Sequence, residues 1–314
     1  MSGEIDRREF IGCLLSTGCA YGCRMAPDGK KTFDENLTVF ISDVHILPRP
    51  CYQYDRFEYV VNEILAMRPL PQRVICFGDV SRSLGVRADY ESSYPLFRRI
   101  VDSGIALTLG TGNHDRRRNL LAYWPEYAER TLVKDRIVTV TDLGFCDLIL
   151  LDTLFENHQD ETRRCEGDGQ LSGAQWDWLK KVLPRWKRPV FVGAHHPWNE
   201  LKDGDSVAFN DLMMMSPKVI GYIHGHDHVW RKGLIKNSKG VWPDPIRKRS
   251  LCLPSTGHWG DIGYVKFRVS PGRAVAELVQ FDRYYPDPSH KTSLDDVLLH
   301  ENQGQHCVFE WGDE

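Results

Sequence analysis

The chain has 314 residues, 41% of them hydrophobic and 26% charged, with a formal net charge of -3. That is enough for one large domain, or two modest ones, around a substantial core, and so small a net charge gives no reason to expect nucleic acid or an acidic membrane as the main partner. No apolar run approaches the ~20 residues of a transmembrane helix, and nine cysteines without a C-x-x-C pair exclude a zinc-finger spacing and argue against a disulfide framework.

In chain order, residues 1–23 read as a leader. The stretch "DRREFIGCLLSTGCAYGC" places Arg7 and Arg8 before Phe10-Ile11 and a short, weakly apolar run of small residues. It resembles a twin-arginine export signal and predicts a protein that is periplasmic or held on the outer side of the membrane. A frayed arm or a short amphipathic helix on a cytoplasmic protein is the alternative. Cys19 and Cys23 each follow a glycine, as at a lipoprotein processing site, and a lipid anchor through one of them is a further expectation. Neither has the usual apolar residue three places earlier.

Residues 24–36 are polar and read as a linker to a folded domain over 37–283. Short apolar runs then recur, each suited to a strand buried on both faces. "LTVFIS" (37–42) ends at Asp43-Val44-His45, and "RVICF" (73–77) ends at Gly78-Asp79. "IALTL" (105–109) runs into Gly112-Asn113-His114-Asp115. "PVFVGA" (189–194) ends at His195-His196-Pro197, and "KVIGYI" (218–223) at His224-Gly225-His226-Asp227-His228. Helical spacing occupies 55–67, 94–104 and 171–183, the last with Ser172 as N-cap. Strand alternating with helix predicts an α/β fold whose ligands bind beyond the carboxyl ends of the strands. "YVKFRV" and "AVAELVQF" around Pro271-Gly272 read as a hairpin, and 284–314 is an extension with no predicted element.

The ordered set D-x-H (43–45), G-D (78–79), G-N-H-D (112–115), H-H-P (195–197) and G-H-x-H (225–228) closely resembles the calcineurin-like metallophosphoesterases, a family that includes purple acid phosphatases and class III cyclic-nucleotide phosphodiesterases. The resemblance spans roughly 37–281. It implies a four-layer α/β/β/α sandwich with two mixed sheets flanked by helices, and hydrolysis of phosphomonoesters or phosphodiesters through a dinuclear metal centre with a bridging hydroxide. Independently of the family, such chemistry needs an activated nucleophile, charge neutralisation and a proton for the leaving group. Two cations about 3.5–4 Å apart supply the first two when held by mixed nitrogen and oxygen ligands.

By that resemblance, one ion takes Asp43, His45, Asp79 and His228, and the other takes Asp79, Asn113, His195 and His226. Asp79 is the bridge, with one oxygen for each ion. Manganese, iron or zinc fits, and ligand type alone does not choose between them. The resemblance also sets His114 beside the leaving group, with Asp115 orienting its ring. Where purple acid phosphatases carry an iron-binding tyrosine, three residues after the matching aspartate, this chain has Arg82, which disfavours the iron-tyrosinate version. His196 and His224 read as supporting residues, and Arg116-Arg117-Arg118 as a solvated helix start. The loops 155–170, 198–216, 229–250 and 256–261 are expected to face the substrate. The competing reading is a non-catalytic metal-binding scaffold of the same fold, although relatives of that kind usually lack part of the residue set that is complete here.

Overall fold

Alternate residues of the apolar runs enter different cores, which is why those runs carry no polar face. The computed structural model describes residues 31–202, 204–234, 248–284 and 305–312. The leader with Arg7, Arg8, Cys19 and Cys23 lies outside the described residues.

Strands β1 (Phe33–Ile41), β2 (Leu70–Cys76) and β3 (Ala106–Leu109) run parallel, with helix α1 (Tyr52–Ala66) after β1 and α2 (Arg87–Asp102) after β2. Two short helices, α3 (Arg117–Tyr123) and α4 (Glu126–Arg130), lead to β4 (Thr139–Asp142) and β5 (Asp147–Leu150). Then come α5 (Gly173–Val182), β6 (Val190–Gly193), α6 (Asp205–Met215), β7 (Val219–His224), β8 (Arg231–Leu234) and β9 (Arg249–Cys252). The hairpin β10 (Gly260–Ser270) and β11 (Arg273–Tyr284) precedes β12 (His306–Glu310). One six-stranded sheet has the order β12-β11-β10-β1-β2-β3, and the other β4-β5-β6-β7-β9-β8. Both are mixed: β1–β2–β3 and β5–β6–β7–β9 are parallel, and the remaining pairings are antiparallel.

Three cores separate four layers. Val39, Ile41, Val74 and Cys76 face outward onto Phe57 and Val61 of α1 and Phe97 and Ile100 of α2. Their neighbours Phe40 and Ile75 face inward and meet Leu148, Leu150, Phe191 and Ile223 of the second sheet. Ile149, Val190, Val192 and Tyr222 turn the other way, onto Trp176 and Leu179 of α5 and Phe209 and Met213 of α6. The period of two along each strand therefore builds an α/β/β/α sandwich. Phe40, Phe191 and Phe267 interlock at its centre, with ring centroids 4.6 and 5.3 Å from Phe267.

Three expectations need adjustment. The polar linker ends sooner than residue 36, because β1 begins at Phe33 and pairs with Leu70. Helix α2 starts at Arg87 rather than near 94 and carries Pro95 inside it; burial of Tyr90, Leu96, Phe97 and Ile100 outweighs the lost hydrogen bond. The C-terminal extension supplies β12, which adds to β11 and sends Cys307 and Phe309 into the core between the sheets. Among the described residues no helix is long and apolar enough to cross a membrane.

Candidate metal centre

The strand ends do not simply stop; they bend sharply inward. Asp43, His45, Asp79, His226 and His228 all have φ between 49° and 72°, a left-handed conformation that costs a non-glycine residue about 1–3 kcal/mol. Hydrogen bonds between loops hold the bends: Asp43 N donates to Gly78 O at 3.1 Å, His45 N to Asp79 O at 2.9 Å, and Gly225 N to His195 O at 3.0 Å. Gly225 is required by proximity. A Cβ there would lie 2.0 Å from Ser42 Oγ and 2.6 Å from Asp43 Oδ2.

Each buried carboxylate divides its oxygens in the same way. Asp43 Oδ2 accepts from His226 N at 3.1 Å and Asp79 Oδ1 from His114 N at 2.8 Å. The other oxygens point inward. Asp43 Oδ1 is buried without a hydrogen bond, 3.1 Å from His228 Nε2 and 3.7 Å from His45 Nε2. Asp79 Oδ2 lies 3.5 Å from His45 Nε2 and 3.1 Å from His195 Nε2. On the far side of Asp79, Asn113 Oδ1 is 3.2 Å from His195 Nε2 and 3.1 Å from His226 Nδ1.

Three of the four histidines already use their outer ring nitrogen, whereas that of His195, Nδ1, is buried without a hydrogen bond. His45 Nδ1 faces Arg82 O at 3.2 Å, His228 Nδ1 faces Trp259 O at 3.1 Å, and His226 Nε2 faces Glu200 Oε2 at 3.2 Å. Tautomers that donate outward leave lone pairs turned inward. Inward nitrogens then crowd together, with His45 and His228 Nε2 atoms 3.2 Å apart and His195 Nε2 3.3 Å from His226 Nδ1. Lone pairs, carboxylate oxygens and an unbonded buried oxygen converging in this way suit cations and little else.

The electrostatics agree. Burial would raise the Asp43 carboxyl, yet His228 and His195 hold it well below the ordinary range. Asp79 is likewise lowered against burial, by His195 and His114. Burial opposes protonation of His195, but Asp79 and Asp43 raise it to about 9. A cavity of about 760 Å³ opens over the cluster, its walls including Tyr52, Arg82, Arg164, His258 and Trp259.

A solved structure described as a dimetal phosphatase from Danio rerio matches with a TM-score of 0.60 at 16% identity, covering 79% of this chain and 96% of that one. The structure of PhoD gives a TM-score of 0.53 at 12% identity, covering 80% and 67%. Such identities speak to the fold. Comparison with curated protein sequences gives no match. The family model described as calcineurin-like phosphoesterase matches residues 37–230, more than half of the chain. The chain belongs to the calcineurin-like phosphoesterases. It is a metal-dependent hydrolase of phosphoric ester bonds.

In this phosphoesterase the seven predicted ligand residues converge, but three expectations around them change. Asp79 does not offer one oxygen to each side: Oδ1 is taken by the His114 backbone, and Oδ2 alone faces both clusters. Asp115 does not orient the His114 ring. It is fully buried and accepts from Val80 N, Ser81 N, Gly112 N and the Tyr90 hydroxyl, pinning two loops together. The His114 ring is held instead by its Nδ1 on Arg82 O at 2.9 Å. Nor are the arginines a solvated run. Arg116 is 2% exposed, Arg117 makes a forked pair with buried Asp152 at 2.6 and 2.7 Å, and only Arg118 is exposed.

His196 is buried with Nδ1 on Thr153 Oγ1 at 2.8 Å. His224 turns its Nδ1 onto Gly225 O at 2.9 Å. Trp230 packs into the core and Trp259 borders the cavity. Glu200, Tyr52 and Arg164 escaped sequence reading because each is a single ordinary residue in a loop or first helical turn.

Proposed function

We propose that the centre holds two divalent cations, one by Asp43, His45, Asp79 and His228, the other by Asp79, Asn113, His195 and His226. The observation that carries this reading is the approach of His45 Nε2 and His195 Nε2, from opposite clusters, to the single oxygen Asp79 Oδ2 at 3.5 and 3.1 Å. The donors are nitrogen and oxygen, without thiolate, and suit manganese, iron or zinc. When bound, such a pair activates a hydroxide for attack on phosphorus and neutralises charge on the phosphoryl oxygens.

The protein's own groups fix the geometry and handle the leaving group. Backbone N–H donors on Asp43 and Asp79 lock both carboxylates with one oxygen inward. His114 lines the cavity, and with Nδ1 on a carbonyl its Nε2 is the nitrogen left for the substrate. Burial pushes this ring down to about 4; the negative charge of an arriving ester acts in the opposite direction and favours an Nε2 proton. That proton assists departure of the ester oxygen.

Reconstitution with manganese, iron or zinc, followed by assay of mono-aryl and bis-aryl phosphate esters side by side, tests the reading and separates monoesterase from diesterase. Turnover is expected with at least one metal. No turnover at full occupancy of both clusters would leave a metal-binding scaffold.

On the leader sequence we further propose export across a membrane in the folded state. Fractionation of the Arg7→Lys/Arg8→Lys variant is expected to show retention in the cytosol, and an unchanged location would end the idea.

A further inference from the structure

Five charged side chains outside the proposed ligand set line the cavity: Arg82, Arg164, Glu200, Asp227 and Arg231. Glu200 is engaged by His226, and Asp227 pairs with Arg231 at 2.9 Å. Neither the Arg82 nor the Arg164 guanidinium forms an ion pair among the described residues, although the Asp89 carboxylate accepts from the Arg82 backbone N–H at 3.1 Å and feels its charge. The two arginines are also brought to the same rim by construction. Arg164 Nε donates to Ser83 Oγ at 3.0 Å, the residue next to Arg82.

The loop carrying Arg164 is fixed from beneath. Buried Arg116 donates to the carbonyls of His158, Asp160 and Arg163 at 2.6, 2.8 and 2.6 Å, and His158 Nε2 faces Arg164 O at 2.9 Å. Burying a guanidinium costs desolvation energy, and here much of its hydrogen bonding orders the backbone leading to Arg164. The position is equally specific. Arg82 O accepts from Nδ1 of both His45 and His114, at 3.2 and 2.9 Å. The Arg82 backbone therefore adjoins both His45 and His114, and the Ser83 contact ties Arg164 to the same wall, which includes the ring that assists the leaving group in the mechanism above. Two guanidiniums on segments tied to each other at Ser83 offer an arriving anion charge-assisted hydrogen bonds.

Resting on the phosphoesterase reading, we propose that Arg82 and Arg164 form an anion subsite for the leaving group. The substrates are then phosphate esters whose leaving group carries a second anion, either phosphate or carboxylate. Arginine suits this role because its planar fork binds either group through two parallel hydrogen bonds.

Calorimetric binding of unhydrolysable probes to the metal-loaded full chain tests the subsite without depending on turnover. Methylphosphonate presents one anion; ethane, propane and butane diphosphonates present two, and 3-phosphonopropionate presents a phosphonate with a carboxylate. The best two-anion probe is expected to bind about tenfold tighter than methylphosphonate, as for one added charge-assisted contact. That ratio should fall to near unity in Arg164→Ala and in Arg82→Ala. A gain with the diphosphonates alone assigns a phosphate, and a gain with 3-phosphonopropionate alone a carboxylate. Equal binding of one-anion and two-anion probes, or an advantage that survives in both variants, overturns the subsite. So does an equal weakening of methylphosphonate and diphosphonate, which would assign the arginines to the reacting phosphate. Failure of the phosphoesterase reading would show separately, as no turnover of phenyl phosphate by the same metal-loaded protein.

Discussion

The carboxylate of Glu200 meets the outer nitrogen of His226 at 3.2 Å and so decides which ring nitrogen faces Asn113 and His195. Glu200 sits in a short helical turn (Trp198–Glu200) whose backbone is tied to the preceding loop, with Gly169 N donating to Glu200 O at 2.9 Å. The hydrogen bond from His226 holds the Glu200 carboxyl below its ordinary range. Outer partners of this kind typically govern metal affinity by about 10–100-fold. Glu200→Ala is expected to weaken the cation site of His226 by that factor and the site of His228 much less. A metal titration resolving two steps checks it; equal weakening of both steps would argue against an orienting role.

His114 separates chemistry from binding. Its backbone N–H holds Asp79 and survives substitution by alanine, whereas its ring does not touch Asp79 through any hydrogen bond. His114→Ala should therefore retain both metals while turnover falls by about 10²–10⁴-fold, the usual contribution of a general acid. Metal content measured on the same preparation decides the matter. Parallel loss of metal and activity would make His114 a ligand.

Asp115 behaves differently although it adjoins His114. Its carboxyl, raised to about 6 by burial and by Asp79, gathers three backbone N–H groups and a tyrosine hydroxyl. Asp115→Ala leaves those buried donors unpaired, so a loss of about 2–4 kcal/mol in unfolding free energy is expected, read by denaturant titration. Stability unchanged within error would contradict the pinning role.

The contrast between these neighbours explains what sequence reading reaches. Strand positions and the Asp, His and Asn side chains gathered at the strand ends were legible because apolar runs ending in such residues combine a local period with rare chemistry. The alternation of Val39, Phe40 and Ile41 between cores also follows from the strand itself. What Asp115 binds was not legible, since Tyr90 and Ser81 reach it only through the packing of α2 and the β2 loop. Glu200 and Arg164 were hidden for the same reason: a carboxylate or guanidinium in a polar loop has no local signature until the fold supplies its partner. Strand β12 was missed because it lies far along an otherwise polar tail, and only pairing with β11 identifies it.

Gly225 offers a steric test of the proposed centre. A methyl group there would press on Ser42 Oγ and Asp43 Oδ2, whereas one at Gly173, at the start of α5, would meet nothing within 4 Å. Gly225→Ala is expected to displace Asp43 or His226 and to lower metal occupancy, with about 1–3 kcal/mol lost to overpacking. Gly173→Ala should leave both quantities unchanged. Elemental analysis with thermal unfolding distinguishes them, and full occupancy in Gly225→Ala would mean that the loop has room to move.

The Arg117–Asp152 pair makes a prediction about pH. Asp152 is fully buried, which raises its carboxyl, but Arg117 and the N–H of Ile137 outweigh burial and hold it below the ordinary value. A carboxyl lowered in the folded state contributes stability that is complete above its unfolded pKa, about 3.9, and is lost as pH falls through the folded value. Replacing Arg117 by methionine leaves a buried carboxylate without its cation, which costs about 3–5 kcal/mol at neutral pH. In that variant burial dominates, so Asp152 takes up its proton more readily and the penalty shrinks as the solution is acidified. The difference in unfolding free energy between the parent and Arg117→Met should thus be largest near pH 7 and narrow toward pH 4 and below. Denaturant titrations across that range check the sign, and a difference that stays constant with pH would show that Arg117 acts through packing rather than charge.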